Sequence, residues 1–463
     1  MSIDWLHQVR FRLPLFRGSG CRIGPMVSPG LRLAVGLLSA QLTLNPAIAS
    51  AQADSLATVA RTDYREALVA WRGGEIESAR EKLVHAATVW PTQAAYLHAA
   101  ASASARLSDT ASAAQWLNRV ADLGQWREVR GDEDFAPVLG APAIEAAIAR
   151  LEVNHLPLVR SRVAFTLPDS TFFAEGIDVD TIRREWFLGS IRHGRIVRVD
   201  STGRARPFAD GTTLDAVFGV RVDTARRRLW VTTRSTPLQV GFRPGSPERA
   251  SILVFSLDDE SLLARVTPPD DGASHTLGDL ALAPDGAAYL TDSEQPVLFR
   301  ASYAAETGIV LEQFLQHRLF RSLQGVAFSD DDKTAYLADY SHGILAVDLA
   351  TRAVREVPAS AGLSTLGIDG LVFWRGSLIG IQNGSSPPRI VRLTLSPQGD
   401  QVEHLDVIDR HLPVADEPTN ATRLGDRLYY IGNSQWSQYA EDGQLKPGAR
   451  LVAPAILELP LTP

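Results

Sequence analysis

Two acidic residues stand out by position. Glu175 lies in Ala174-Glu175-Gly176 and Asp369 in Ile368-Asp369-Gly370, and an apolar strand-like run follows each. Turns favour Asp, Asn and Gly, but have no specific use for Glu. The pair therefore reads as site chemistry, with Asp369 as the candidate catalytic proton acceptor. Gln324, in Leu323-Gln324-Gly325, holds the same kind of place. Carboxylate and carboxamide oxygens are the ligand chemistry of one hard divalent cation, Ca²⁺, Mg²⁺ or Mn²⁺, and Zn²⁺ also accepts carboxylates. The same carboxylates would hold a polar substrate or activate water. Asp279, Asp339, Gln382, Asn383, Asn420 and Asn433 stand at related places and read as substrate contacts. Trp436, in Asn433-Ser434-Gln435-Trp436, would either stack on a sugar or other ring or simply pack.

Other chemistry is thinner. Asp180, Asp200, Asp223, Asp285 and Asp348 read as turn residues. His193-Gly194 and His342-Gly343 sit in equivalent hairpin turns. Asp339-Tyr340-Ser341-His342 has triad residue types, but they are consecutive and no Gly-x-Ser-x-Gly elbow is present. Gly384-Ser385-Ser386-Pro387-Pro388 is a loop, not a phosphate cradle. A single cysteine, Cys21, excludes disulfides, thiolate zinc sites and iron–sulfur clusters.

The elements that position these residues repeat. Gly176-Ile-Asp-Val-Asp, Glu185-Trp-Phe-Leu-Gly and His193-Gly194-Arg-Ile-Val-Arg-Val-Asp200 are echoed by Gly325-Val-Ala-Phe-Ser, Thr334-Ala-Tyr-Leu-Ala-Asp and His342-Gly343-Ile-Leu-Ala-Val-Asp348. Further copies begin near Phe218, Gly278, Asp369 and Asn420. Six units of short strands, about 43 to 60 residues apart, predict a six-bladed β-propeller over 156–463. Ser161–Leu167 should join Ala455–Leu461 in the last blade and close the ring. In a blade, the start of the first strand and the end of the second meet at one mouth. Glu175, Phe218, Asp279, Gln324, Asp369 and Asn420 would form the first ring there. Ser190, Thr233, Asp292, Asp339, Gln382, Asn383 and Asn433 would form the second.

Here the chain resembles the gluconolactonase/regucalcin (senescence-marker-protein) family. Ala174-Glu175-Gly176, Leu323-Gln324-Gly325 and Ile368-Asp369-Gly370 carry the resemblance. It implies a six-bladed propeller with one axial divalent metal, and hydrolysis of sugar lactones. Glu175 and Asp369 match the family's outer ligands. Gln324 replaces an Asn, which moves the same carbonyl oxygen one methylene outward. Gly278 stands where an Asn usually precedes Asp279, which removes a substrate contact.

Residues 54–155 are Ala-rich with helical periodicity: Tyr64, Ala67, Leu68 and Trp71 share one face. Ala79 and Leu83 recur as Ala113 and Leu117, a 34-residue period that resembles tetratricopeptide repeats. About two repeats are visible, so the module serves either as a protein-docking groove or as a structural cap. Residues 1–53 carry Arg10, Arg12, Arg17, Arg22 and Arg32, then the apolar stretch Leu33–Leu44, then Ala47-Ile-Ala49 and Ala51-Gln-Ala53. That order describes a signal peptide starting at Met1 or Met26, and a periplasmic or secreted protein.

Composition bounds the rest. The chain has 463 residues, 45% apolar and 21% charged, which suits a globular core. Its net charge of −7, with no basic run, argues against nucleic-acid binding. The stretch Leu33–Leu44 is too short and too interrupted to span a membrane, and no second apolar run of 18 residues exists. The expected function is a metal-dependent lactone or ester hydrolase acting on a small molecule at the axis. The alternative is a non-catalytic ligand- or protein-binding propeller.

Overall fold

The computed structural model describes residues 46–209 and 211–462. The leader expected over 1–53 lies outside the described residues except at its end, where the first helix begins. From Leu56 onward the chain is one compact unit.

Among the described residues five α-helices come first: α1 (Pro46–Arg72), α2 (Ile76–Val89), α3 (Ala94–Arg106), α4 (Thr110–Asp122) and α5 (Pro142–His155). Gly74, at φ 78°, takes the left-handed turn between α1 and α2, a conformation that costs other residues more. α2 stops at Val89 because Pro91 bars helical geometry in the residue before it. α4 starts on Asp109, whose side chain accepts from the Ser112 amide at 3.0 Å. Ala79, Leu83, Ala113 and Leu117, the periodic residues, are all buried. Small alanines on the facing sides let the helices approach closely.

Six four-stranded antiparallel sheets follow. Their innermost strands are Ala174–Asp180, Ala216–Asp223, Leu277–Leu282, Leu323–Phe328, Leu371–Trp374 and Ala421–Leu424, blades I to VI. The predicted six-bladed propeller is the observed architecture. Blade VI takes its outer strand, Arg162–Thr166, from the start of the propeller. That strand pairs with Ala455–Pro460, Arg162 opposite Glu458 and Thr166 opposite Ala455, as expected for closure. Helical structure is not confined to the first 155 residues: Trp436–Gln438 forms a 3-10 turn.

Alternation explains the packing. Each strand sends every second side chain to one face, and each pair of neighbouring blades seals a separate apolar cluster. Leu371, Leu378 and Val391 of blade V meet Tyr336 and Ile344 of blade IV, for example.

The helices dock on blade V. Arg389, fully buried, donates to Leu123 and Gly124 carbonyls at 3.2 and 2.9 Å and to Gln382 Oε1 at 2.7 Å. The Trp126 amide donates to Ser386 O at 2.6 Å, and Arg61 to Ser341 O at 3.1 Å. Trp126, His155 and His411 stack in series. Ser341 and Ser386 both follow second strands, so the module stands at the mouth end of blades IV and V.

Candidate functional site

A repeated irregularity aims the inner residues. In blades I to IV the ladder between first and second strands slips by one residue: Ala174 faces Ser190, but Ile177 faces Leu188. Such a bulge places two residues opposite one and re-aims their side chains. Blade V does the same, since the Asp369 amide bonds Ile381 O while the Ile381 amide bonds Gly370 O. In blade VI the Ile431 amide bonds Asn420 O. The first bulge position therefore holds Glu175, Phe218, Gly278, Gln324, Asp369 and Thr419. The second holds Gly176, Gly219, Asp279, Gly325, Gly370 and Asn420.

This register corrects the first ring read from the sequence. Asp279 and Asn420 do not stand beside Glu175 and Asp369; each is one residue further along. Glycine prevails at the second position because blades touch there. The Gly325 amide bonds Asp369 O at 2.9 Å, and a Cβ on Gly325 would lie 2.5 Å from that oxygen. The two side chains at this level come from opposite blades and meet: Asn420 Nδ2 donates to Asp279 Oδ1 at 3.4 Å. Arg221 of blade II fills the gap. Its guanidinium lies 3.0 Å from Asp279 Oδ1 and donates to Ile177 O at 3.1 Å. Asp178 joins blades I, II and VI by accepting from the Val222 amide and the Thr422 hydroxyl. This level is a closed polar plug. Burial pushes the Asp279 carboxyl up and Arg221 opposes it.

The upper level keeps the other carboxylates. Glu175 Oε2 accepts from Trp436 Nε1 at 2.9 Å and contacts Ser434 Oγ. Ser434 has one proton, and Ala174 O, 2.7 Å away, can only accept. Ser434 therefore shares its single proton between Ala174 O and Glu175 Oε2, and its bond to the carboxylate opposes the rise in the Glu175 pKa. Burial, then Asp369, hold the Glu175 carboxyl well above the usual range. Asp369 Oδ2 accepts from Asn383 Nδ2 at 2.8 Å. Burial raises Asp369 too; the Asn383 hydrogen bond opposes this, and Asp279 and Glu417 add to it. Both carboxyls are partly reached by solvent yet largely enclosed by protein. Glu417 is the third acid here, itself raised by burial and held by the Ser437 amide and hydroxyl at 3.0 and 3.1 Å. No basic side chain is among the groups that chiefly act on Glu175 or Asp369.

Apolar residues wall one side. Trp436 meets Phe173 edge-on at 5.0 Å and leans on Phe218 at 6.2 Å. Phe173, Ile191, Ala216, Phe218 and Tyr439 form one cluster, with Trp436 and Leu451 against it. The loop from Asn433 to Pro454 thus folds back over blades I and II.

Three of the remaining expected contacts hydrogen-bond to neighbouring loops. Asp339 accepts from the Arg321 and Ser322 amides at 2.6 and 3.0 Å. Gln382 donates to Ser364 O and Leu366 O. Asn433 bridges Ala453 O and the Ala455 amide. Ser190 and Asp292 make the same kind of tie, to Phe172 O and the Thr276 amide. Residues that end second strands latch the neighbouring loop, and recurrence at one blade position was the signal for that. Gln324 lies between the two groups: its Nε2 reaches Ser322 Oγ at 3.4 Å and its Oε1 has no partner among the described residues. Arg221, Tyr340, Glu417, Thr419 and Ser434 were not singled out from the sequence. Arg221 had one signal, a charge two residues past Gly219 in a strand that is otherwise apolar there.

Among the described residues, no group of three or more His, Cys, Asp or Glu could hold a metal ion. A cation would instead rest on two carboxylates and neutral oxygens. That donor chemistry fits a hard divalent ion. Glu175 Oε1 and Asp369 Oδ1 take no hydrogen bond among the described residues, and Asn383 Oδ1 and Thr419 Oγ1 are buried without a partner.

No family model and no curated protein matches the sequence. Solved structures do. A gluconolactonase from Xanthomonas campestris is 19% identical at a TM-score of 0.43, over 65% of this chain and 96% of its own. A calcium-binding regucalcin from Agrobacterium tumefaciens is 15% identical at 0.43, over 65% and 92%. Virginiamycin B lyase from Staphylococcus aureus is 13% identical at 0.41, over 66% and 89%. These are likenesses of fold.

Proposed function

We propose that the mouth hydrolyses a lactone- or ester-type small molecule with the help of one divalent cation, held by Glu175 and Asp369 and completed by Gln324. The observation that carries this reading is the pair of enclosed carboxyls, each with one oxygen that takes no hydrogen bond and neither in an ion pair among the described residues. Buried like charges without compensation are costly, and a cation is the usual relief. Such an ion, when bound, polarises a carbonyl and lowers the pKa of water. Asn383 orients Asp369 and leaves Oδ1 free to accept a proton. Ser434 and Trp436 fix Glu175, while Phe173, Phe218 and Trp436 keep bulk water off one side. The leader expected over 1–53 would place this activity in the periplasm or the medium.

Thermal melting with Ca²⁺, Mg²⁺, Mn²⁺ and Zn²⁺, beside a panel of five- and six-membered lactones, tests it. An ion that binds only the folded state raises Tm, by about 2.7 kcal/mol of stability at 100 times Kd. Asp369→Ala and Glu175→Ala should lose the shift and stay folded; Gln324→Asn should keep it. No shift with any of the four ions discards the cation and the hydrolase with it.

The second reading is a non-catalytic propeller that binds a small molecule at the axis and a protein at the helices. A groove of about 810 Å³ between α2 and α4, lined by Glu77, Arg80, Val84, Asp109 and Trp116, favours it. Retained cation binding with no turnover of any lactone or ester would select it.

A further inference from the structure

Tyr340 follows the second strand of blade IV, on the loop that Asp339 latches. Its backbone is held on both sides: the amide donates to Ser322 O at 2.9 Å, and its carbonyl accepts from the Gly367 amide at 2.8 Å. Its ring lies against Gly384, where a Cβ would come within 2.8 Å of the hydroxyl. Gly384 follows Asn383, the residue that holds Asp369. Glycine at 384 therefore makes room for the phenol beside the Asn383–Asp369 pair.

The hydroxyl is placed but unused. It has no hydrogen-bond partner among the described residues, and it is close enough to Asp369 and Glu417 to feel both charges. Burial, then those carboxylates, push the Tyr340 phenol well above its ordinary value, so it keeps its proton. The other free atoms at this level are acceptors: Glu175 Oε1, Asp369 Oδ1, Gln324 Oε1 and Asn383 Oδ1. Tyr340 supplies a donor that these atoms lack. A polar group without a protein partner in a site of acceptors is free to bond water or the polar atom of a ligand that displaces it.

Resting on the hydrolase reading, we propose that Tyr340 is a substrate-contacting residue that donates its hydroxyl proton in a hydrogen bond to the carbonyl oxygen of the bound ester or lactone. Attack of water on the carbonyl carbon forms a new C–O bond, passes the water proton to Asp369 Oδ1, breaks the C=O π bond and moves its electron pair to this oxygen; collapse re-forms the C=O bond and expels the alkoxy oxygen, which takes the proton back from Asp369. The Tyr340 bond strengthens as that charge grows, and the phenol gives up no proton. The contact therefore belongs more to the transition state than to the ground state.

Tyr340→Phe removes only the hydroxyl. With the lactone hydrolysed fastest in the panel, kcat should fall about 100-fold while KM moves less than about threefold. Tm and its cation shift should stay at wild-type values. In crystals soaked with a six-membered cyclic lactam, whose amide oxygen mimics the carbonyl, that oxygen should lie within hydrogen-bond distance of Tyr340 Oη. An active Tyr340→Phe with unchanged kcat overturns the assignment and leaves the hydrolase reading standing. An inactive wild type whose lactam still bonds Tyr340 overturns the hydrolase reading and keeps Tyr340 as a ligand donor. A lactam that bonds elsewhere, or none bound in an inactive wild type, overturns the assignment.

Discussion

Asp279 and Asp369 look alike in the sequence, each at the inner start of a blade. One step of register separates their fates. Asp369 stands at the first bulge position and keeps a free oxygen, whereas Asp279 at the second is spent on Arg221 and Asn420. Arg221 therefore acts as a built-in counter-charge for the lower axis. Removing one member of a buried pair strands the other, at a cost of about 3–5 kcal/mol. Arg221→Ala should lose on that order of stability in urea unfolding, and Arg221→Met with Asp279→Leu should recover much of it. A single variant as stable as wild type would show that the plug carries no such charge balance.

Residues at the ends of second strands tie neighbouring loops to the blades. In blade III the latch is elaborated: His275 Nδ1 lies 2.6 Å from Asp292 and Nε2 3.3 Å from Asp271. The hydrogen bond to Asp292 is the main cause that raises the His275 pKa; burial opposes it, and Asp271 adds to it. A raised folded value means that the charged His stabilises fully below its unfolded pKa, about 6.5. The gain fades as pH rises through the folded value. The stability difference between wild type and His275→Gln should be largest near pH 6 and shrink by pH 9, read from denaturant midpoints. A difference that stays flat with pH would leave His275 as packing against Phe299 alone.

From Leu56 onward the chain is a ring with a helical module bolted to one sector. Arg389 is the bolt, binding carbonyls that end α4 and a glutamine that latches blade V. Burial lowers its pKa to about 10, and at neutral pH it remains charged. Three charge-assisted hydrogen bonds make Arg389→Ala destabilising by on the order of 3 kcal/mol. Because the bonds join two parts, the variant should also loosen the joint. Limited proteolysis should then cut near Val159 and Arg160, both exposed, faster than in wild type. Equal cleavage rates would mean that the stacked Trp126, His155 and His411 hold the joint without it.

The sequence by itself determined the repeat and, through it, the blade count. Strand alternation, turn residues and the near-constant offset between Gly176–Asp200 and Gly325–Asp348 were enough for six blades and for closure by Ser161–Leu167. These are local or periodic properties, and periodicity survives in one dimension. The helices were legible for the same reason, down to the stop before Pro91. Glu175 and Asp369 were legible as odd residues at a repeated place. The tertiary structure alone decided which other polar residues share their level. A bulge shifts a side chain by one position without any mark in composition, so Asp279 and Asn420 passed for neighbours of Asp369. Tyr340, Glu417 and Ser434 come from loops whose course depends on distant partners: Ser322, Ser437 and Ala174. Arg221 needs a carboxylate and an amide from two opposite blades to become a plug. Such meetings are set by closing a ring of six sheets, and closure is a property of the whole chain.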